Sequence, residues 1–172
     1  YLPSPIDTVM LDDIQNVGKK NKQIAYVGRD SHEKGIDILR GIESQVKGNV
    51  VYCTDLPWQK AMSVLKSSTV LVVPSRMESL PTVIKEAFYL KIPVIATNVG
   101  GIPELITDKK NGILVPSDDP QSLLTEINTL LENREKIEKI TESAFDFVNR
   151  TMTWDVWLPK YIEFYDYLVG SN

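Results

Sequence analysis

Thr69-Val70-Leu71-Val72-Val73, then Pro81-Thr82-Val83-Ile84-Lys85-Glu86-Ala87-Phe88-Tyr89-Leu90, then Ile92-Pro93-Val94-Ile95-Ala96-Thr97 is the stretch that decides the fold. The first run is apolar throughout, as a strand buried on both faces is. In the second, Val83, Ile84, Ala87 and Phe88 recur at helical spacing, and Pro81 suits a first helical position. The third is again β-branched and apolar, so the three read as strand, helix, strand. Toward the amino end, Ile24-Ala25-Tyr26-Val27 is a strand ended by Gly28. Lys34 to Lys47 carries Ile36, Leu39, Ile42 and Val46 at helical spacing. Asn49 to Thr54 is a strand, and Pro57 opens a helix with Ala61, Met62 and Leu65 on one side. Toward the carboxyl end, Pro103 starts a short helix to Thr107 and Gly112 to Val115 is a strand. Then the strands stop. Asp119 to Leu131 is a helix with Leu123, Leu124, Ile127, Leu130 and Leu131 as its stripe, Asp118 or Asp119 as cap and Pro120 in its first position. Arg134 to Asn149 and Trp154 to Leu168 are further helices. Alternating strands and helices imply right-handed βαβ units, hence a Rossmann-like α/β domain with a parallel sheet of about five strands between helix layers. Such sheets bind ligands beyond the carboxyl ends of their strands. That points to residues 28–35, 53–58, 74–82 and 98–104.

A chain of 172 residues suits one domain with a real core. Apolar content of 42% and charged content of 24% describe an ordinary soluble globular protein. A net charge of −4 gives no electrostatic case for nucleic acid or an anionic membrane, so any anion site must be local. No apolar run approaches the roughly 18 to 20 residues of a membrane span, and no signal-peptide pattern opens the chain. Cys53 is the only cysteine, so no internal disulfide can form and a reducing compartment, the cytoplasm, fits. One His and one Cys argue against a zinc site. The start at Tyr1, followed by Leu2-Pro3-Ser4-Pro5-Ile6-Asp7, reads as a fragment cut at a domain boundary or as a trimmed terminus.

Three segments at the ligand edge could carry chemistry. Gly28-Arg29-Asp30-Ser31-His32-Glu33-Lys34-Gly35 joins a strand to a helix; its cations Arg29 and Lys34 could clamp a diphosphate with help from helix-terminal amides, or the loop is merely solvated charge. It is neither a dinucleotide-binding fingerprint nor a P-loop. In Pro74 to Ala87, the free amides of Thr82 and Val83 point at the sheet edge. Glu78 on the loop and Glu86 on the helix then face one cleft, where carboxylates could accept bonds from paired sugar hydroxyls. Two glutamates at this spacing are common on surfaces, so the spacing alone is weak. In Asn98-Val99-Gly100-Gly101-Ile102-Pro103-Glu104, the paired glycines permit a close backbone approach or simply a turn, and the turn is the better reading of that segment by itself.

Taken in order, these segments resemble the C-terminal domain of GT-B glycosyltransferases, in particular glycosyltransferase family 4 ("group 1"). Its pattern G-R-x-x-x-x-K-G corresponds to Gly28 to Gly35. P-S-x-x-E-x-x-x-x-x-x-x-E-A corresponds to Pro74 to Ala87, P-V-I-A-T-x-x-G-G-x-P-E to Pro93 to Glu104, and N-G-x-L-V to Asn111 to Val115. Trp154 and the helix through Tyr161 and Tyr165 resemble the family's tail (153–172), and Leu2 to Asp7 the segment entering the domain. The likeness spans nearly the whole chain, 1–172, and its specificity lies in the joint order and spacing of the motifs.

The resemblance implies a retaining glycosyltransferase of hexosyltransferase type. It would move a sugar from a nucleotide diphosphate sugar (UDP or GDP) to a glycan or lipid-linked acceptor held mostly by an N-terminal domain this chain lacks. The isolated domain is therefore expected to be inactive. Arg29 and Lys34 would bind the diphosphate and stabilise the leaving group, with Gly28 beside them. Glu86 would hold the ribose and Glu78 the transferred sugar, Glu78 not as nucleophile, since a front-face displacement is favoured for the family. The backbone near Leu80, Thr82 and Val83 would bind sugar or phosphate oxygens, Gly100 and Gly101 would border the donor, and the base would lie around Cys53, Thr54 and Leu56. No metal and no other cofactor is implied. The enzyme would be cytoplasmic, and in full-length form could associate peripherally with the membrane.

Two departures stand out. The stretch between Gly35 and Pro74 is short by about one βα unit, which bears on the base pocket, and Pro81 stands where the family often has Gly, removing one amide. His32 reads as a solvent-facing loop residue, Cys53 as a small buried side chain, and Trp154, Trp157, Tyr161 and Tyr165 as packing rather than stacking platforms. Three other readings stay open: a non-catalytic nucleotide- or anion-binding module, and a GT-B epimerase or phosphorylase. A receiver domain would need an acidic cluster at a strand end, which is missing.

Overall fold

The computed structural model describes residues 4–15 and 17–170. Five strands form one parallel sheet: β1 (Gln23–Val27), β2 (Asn49–Cys53), β3 (Val70–Val73), β4 (Val94–Thr97) and β5 (Ile113–Val115). Their order is β2-β1-β3-β4-β5. The expected Rossmann-like parallel sheet of about five strands is borne out. This is the five-stranded doubly wound order 2-1-3-4-5, whose switch point lies between β1 and β3. β2 is accordingly an edge. Asn49 is exposed and Val51 and Tyr52 are half-buried, while β3 and β4 are buried at every position. Arg40 covers the Tyr52 ring at 5.4 Å.

Alternation along the strands divides the core into two layers. Ile24, Tyr26, Val70, Val72 and Ile95 face one way, onto α2 (Ile36–Ile42) and α6 (Pro120–Leu131). Ala25, Leu71, Val73, Val94 and Ala96 face the other, onto α3 (Trp58–Ser67), α4 (Thr82–Tyr89) and a short helix α1 (Thr8–Asp12) that the sequence reading missed. α5 (Ile102–Leu105) closes that layer, and α7 (Arg134–Thr151) joins both, sending Ile140 to one and Ala144 and Val148 to the other. Burying side chains of this size is worth roughly 1.5 to 3 kcal/mol each before chain entropy is counted.

Several boundaries differ from expectation. The helix read over 34–47 contracts to α2 between two single-turn 3-10 segments, because Gly35 takes a left-handed conformation (φ +64) that ends the first turn before α2 begins. Pro81 is the N-cap of α4 rather than its first residue (φ −65, ψ 120), and Pro57 likewise precedes α3. Asp119 caps α6 through its bond from the Ser122 amide at 2.9 Å, with Pro120 next, as the sequence suggests. The stripe of α6 is buried as read.

The tail is α8 (Trp154–Gly170). It has no buried residue, and Trp154, Tyr165 and Tyr167 are 41%, 59% and 71% exposed. Trp154, Trp157, Tyr161 and Tyr165, read as packing residues, enter neither core layer. Trp154 packs on Tyr161, Tyr165 meets Phe164, and Trp157, beside the Lys160 ammonium, donates its Nε1 to the Thr151 carbonyl of α7. No helix among the described residues is long and apolar enough to cross a membrane. Residues 1–3, and with them part of the segment Leu2 to Asp7, lie outside the described residues, as do 171–172 of the tail.

Candidate functional site

In the order β2-β1-β3 the chain reverses direction across the sheet between β1 and β3, the place where such sheets hold ligands. The loops leaving β1 and β3 meet there around a cavity of ≈ 200 Å³ lined by Gly28, Lys34, Ser75, Glu78, Thr82 and Val83 among others.

The loop after β3 (74–81) is seated by glycines on both sides. A Cβ on Gly35 would lie 1.9 Å from the Pro74 carbonyl oxygen. On the other side, a Cβ on Gly100 (φ +51) would lie 1.8 Å from the Glu78 carbonyl oxygen, and one on Gly101 1.8 Å from that of Ser79. The close approach these glycines permit is thus to the protein's own backbone. The loop is further tied to the β1 loop. The amides of Arg76 and Met77 both donate to the Glu33 carbonyl. The Arg76 guanidinium donates to the His32 carbonyl (2.7 Å), to both oxygens of Asp37 (2.7 and 2.9 Å) and to Asp118 (2.6 Å). These bonds push the Arg76 pKa up, while its hydrogen bonds hold the Asp37 carboxyl below the usual range.

Within this frame Lys34 and Glu78 come into contact. Lys34 Nζ donates to Glu78 Oε1 at 2.7 Å, and Ser75 Oγ donates to the same oxygen at 2.8 Å. The Glu78 side chain is 7% exposed and that of Lys34 25%. Across the cavity stand the first amides of α4, Thr82 and Val83, which a helix leaves without intrahelical partners. With Pro81 as cap, both remain N–H donors. A cation, a carboxylate and two helix-terminal amides therefore border one small space, a set able to hold an anion next to a hydroxyl-bearing group.

Glu86 sits deeper in α4, 8% exposed, and Trp58 Nε1 donates to its Oε1 at 2.8 Å. Burial pushes the Glu86 carboxyl up, with the Trp58 bond and the neighbouring Lys85 charge opposing. Lys85, fully buried, donates to the Ser4 carbonyl, and burial pushes its amine down.

The other expected site residues scatter. Arg29 is exposed and does not line the cavity; its carbonyl accepts from Tyr26 Oη at 2.7 Å. The Gly28 amide donates to the Cys53 carbonyl (3.3 Å), and the Cys53 thiol points into the core, where burial raises its pKa to about 11. Thr54 is half-buried and Leu56 is 44% exposed, both outside the cavity. The Leu80 side chain packs on the core, leaving only its backbone for a ligand. His32 is exposed, as read. Sequence reasoning assigned nothing to Ser75, Arg76, Trp58 or Lys85. Ser75 and Arg76 sit inside the motif and could have been flagged, and Trp58 starts a helix at the ligand edge, but Lys85 carries no signal. Among the described residues no group of three or more His, Cys, Asp or Glu could hold a metal ion.

The sequence profile of glycosyl transferases group 1 matches residues 42–147. The chain belongs to that family. An uncharacterized glycosyltransferase of Methanocaldococcus jannaschii is 29% identical over 154 residues, which is 76% of this chain and 44% of that protein. Among solved structures, a sucrose-phosphate synthase from Thermosynechococcus elongatus superposes with a TM-score of 0.87 at 20% identity, covering 99% of this chain and 53% of that one. The Anabaena HepE protein in complex with UDP and glucose superposes at 0.77 with 20% identity, covering 85% of this chain and 48% of that one. At such identity these likenesses speak to the fold, which is that of GT-B glycosyltransferases. The chain spans about half, or less, of the length of these proteins. This group 1 glycosyltransferase chain carries its candidate site at the switch point of that five-stranded sheet.

Proposed function

We propose that this chain is the donor-binding half of a retaining hexosyltransferase, using a nucleotide diphosphate sugar and passing the sugar to a glycan or lipid-linked acceptor. The observation that carries the reading is the meeting of Lys34, Glu78 and the Thr82 and Val83 amides around one cavity at the switch point. The diphosphate would lie against Lys34 and those amides, with Arg29 reaching in from its exposed loop. Charge developing on the departing phosphate would meet donors already in place. The free oxygen of Glu78 would take a hydroxyl of the sugar. Glu86, with one oxygen held by Trp58, would offer the other to the ribose. The base would lie toward 53–56, beyond the cavity. The presence of UDP and glucose in the HepE structure supports trying uridine first.

No metal enters this reading, so a chelator should leave donor binding unchanged. The acceptor would be bound by an N-terminal domain, so the chain alone should turn over no donor; measurable transfer by the chain itself would defeat that part. The full-length enzyme would act in the cytoplasm, with peripheral attachment to the membrane face where its acceptor is a lipid.

The test is a thermal-shift panel of UDP, GDP and ADP with wild type, Lys34→Ala and Glu86→Ala. A ligand at about 100 times its Kd stabilises by roughly 2.7 kcal/mol, a readily seen shift. At least one nucleotide should bind, and both variants should lose most of the shift. Loss with Lys34→Ala alone would leave only an anion-binding module, and no shift with any nucleotide would sink the donor-site assignment.

A further inference from the structure

We infer that Glu78 is the residue by which the site distinguishes a loaded donor from a spent one. The inference rests on the donor-site reading above and concerns the relative affinity of the donor and of the nucleotide it leaves behind. In the structure the Lys34 ammonium is held by Glu78 Oε1 at 2.7 Å, and the same oxygen also takes the Ser75 hydroxyl. The carboxylate is 7% exposed, so little solvent screens it from a neighbouring charge. Lys34, 25% exposed, can still be reached. An anion in the cavity must share Lys34 with a carboxylate already bound to it and must sit beside that carboxylate's charge.

The two nucleotide species meet this arrangement differently. In a nucleotide sugar the outer phosphate is joined by an ester bond to the sugar and by an anhydride bond to the inner phosphate and carries one negative charge, and the sugar brings hydroxyls that can donate to Glu78 Oε2. After transfer the outer phosphate is terminal, held only by its anhydride bond to the inner phosphate. Its second ionisation, near pH 6, adds most of a further negative charge at neutral pH. No hydroxyl remains to satisfy Glu78, and the added charge lies on the side from which the sugar has gone. Glu78 therefore attracts the donor through the sugar and opposes the spent nucleotide through charge and through its prior hold on Lys34. Its geometry is suited to this because the loop carrying it is packed and bonded from both sides. Gly100 and Gly101 back its carbonyl and the next one at close range, and Arg76 pins the loop from the other side. The carboxylate stays where the phosphate would arrive.

The experiment measures affinities of UDP, GDP and ADP, and of their glucose esters, by calorimetric titration into wild type, Glu78→Gln and Glu78→Ala, with thermal unfolding to confirm that each variant is folded. The two neutral variants provide for one of them failing to fold. For whichever base binds, both variants should bind the nucleoside diphosphate on the order of ten-fold more tightly, while the nucleotide sugar gains nothing or is weakened. A parallel gain for both ligands would reduce Glu78 to a general negative charge, and a loss of diphosphate affinity would make it an orienting partner of Lys34; either result overturns the inference. If Glu78→Gln behaves as expected but Lys34→Ala binds normally, the competition for Lys34 is wrong. If no diphosphate binds wild type or variant, the donor-site reading falls first and the inference with it.

Discussion

The loop after β3 is held from both sides, by Gly35 on one flank, by Gly100 and Gly101 on the other and by Arg76 reaching across to Asp37 and Asp118. The loop after β2, residues 54–57, makes no side-chain hydrogen bond or ion pair among the described residues, and it carries an exposed Leu56 and a left-handed Asp55 (φ 53). Both loops leave the same sheet edge. On the proposed reading the first faces the diphosphate and the second the base. Stabilising a leaving phosphate demands donors fixed before the reaction, since their energetic advantage lies in not having to reorganise. Recognising a base needs only a complementary surface, and β2, the strand that carries the second loop, is an edge of the sheet.

The contrast breaks most decisively at Gly35. Gly35→Ala would place a Cβ 1.9 Å from the Pro74 oxygen and put a side chain at φ +64, so something must move. A loss of about 3 kcal/mol or more is expected in urea unfolding. A variant as stable as wild type would mean that the β3 loop yields easily. Arg76→Ala tests the same clasp from the surface. Its partners Asp37 and Asp118 are 53% and 57% exposed, so solvent screens each link. A loss of about 1 kcal/mol is expected, at the upper end for exposed pairs because one guanidinium serves several acceptors, and it should shrink at high salt. A loss indifferent to salt would point to packing instead.

Much of this was legible beforehand, and the reasons differ by element. β3, α4 and β4 were readable because apolar runs and helical spacing coincide there with local turn chemistry. The site was readable as a place, since the sheet rule names the strand ends. What the individual side chains do was less so. The glycines were identified, but not that they back onto the loop bearing Glu78, because that contact joins residues distant in sequence. Glu86 was named without Trp58, and Lys34 and Glu78 were expected to serve a ligand side by side, not to bind each other. The helix at 34–47 was overdrawn, because its apolar periodicity continues through Gly35 and past Ile42 while the backbone does not.

Glu86 offers a smaller test, again on the rigid side. Burial raises its carboxyl pKa in the folded state. The folded protein therefore holds that proton more tightly than the unfolded chain, and stability falls as pH rises from the ordinary glutamate value, about 4.3, through the raised one. Glu86→Gln removes that decline. It should gain about 0.5 kcal/mol at neutral pH, and nothing at a pH where the wild-type carboxyl is protonated in both states. A variant less stable than wild type at neutral pH would show that the Trp58 bond to the charged carboxylate outweighs its desolvation.

The smallest effect on stability belongs to the loop after β2, where the comparison can be sharpened most. Leu56 is 44% exposed and belongs to neither core layer, so Leu56→Ala should change unfolding free energy by no more than about 0.5 kcal/mol. If the base lies along 53–56, the same substitution should change the order in which UDP, GDP and ADP raise the melting temperature, because it alters the surface the base meets. Pyrophosphate, which has no base, should bind wild type and variant equally, because the phosphate end is untouched. A variant that weakens pyrophosphate as much as the nucleotides would mean the two loops are coupled. One that leaves the nucleotide order as it was would place the base elsewhere.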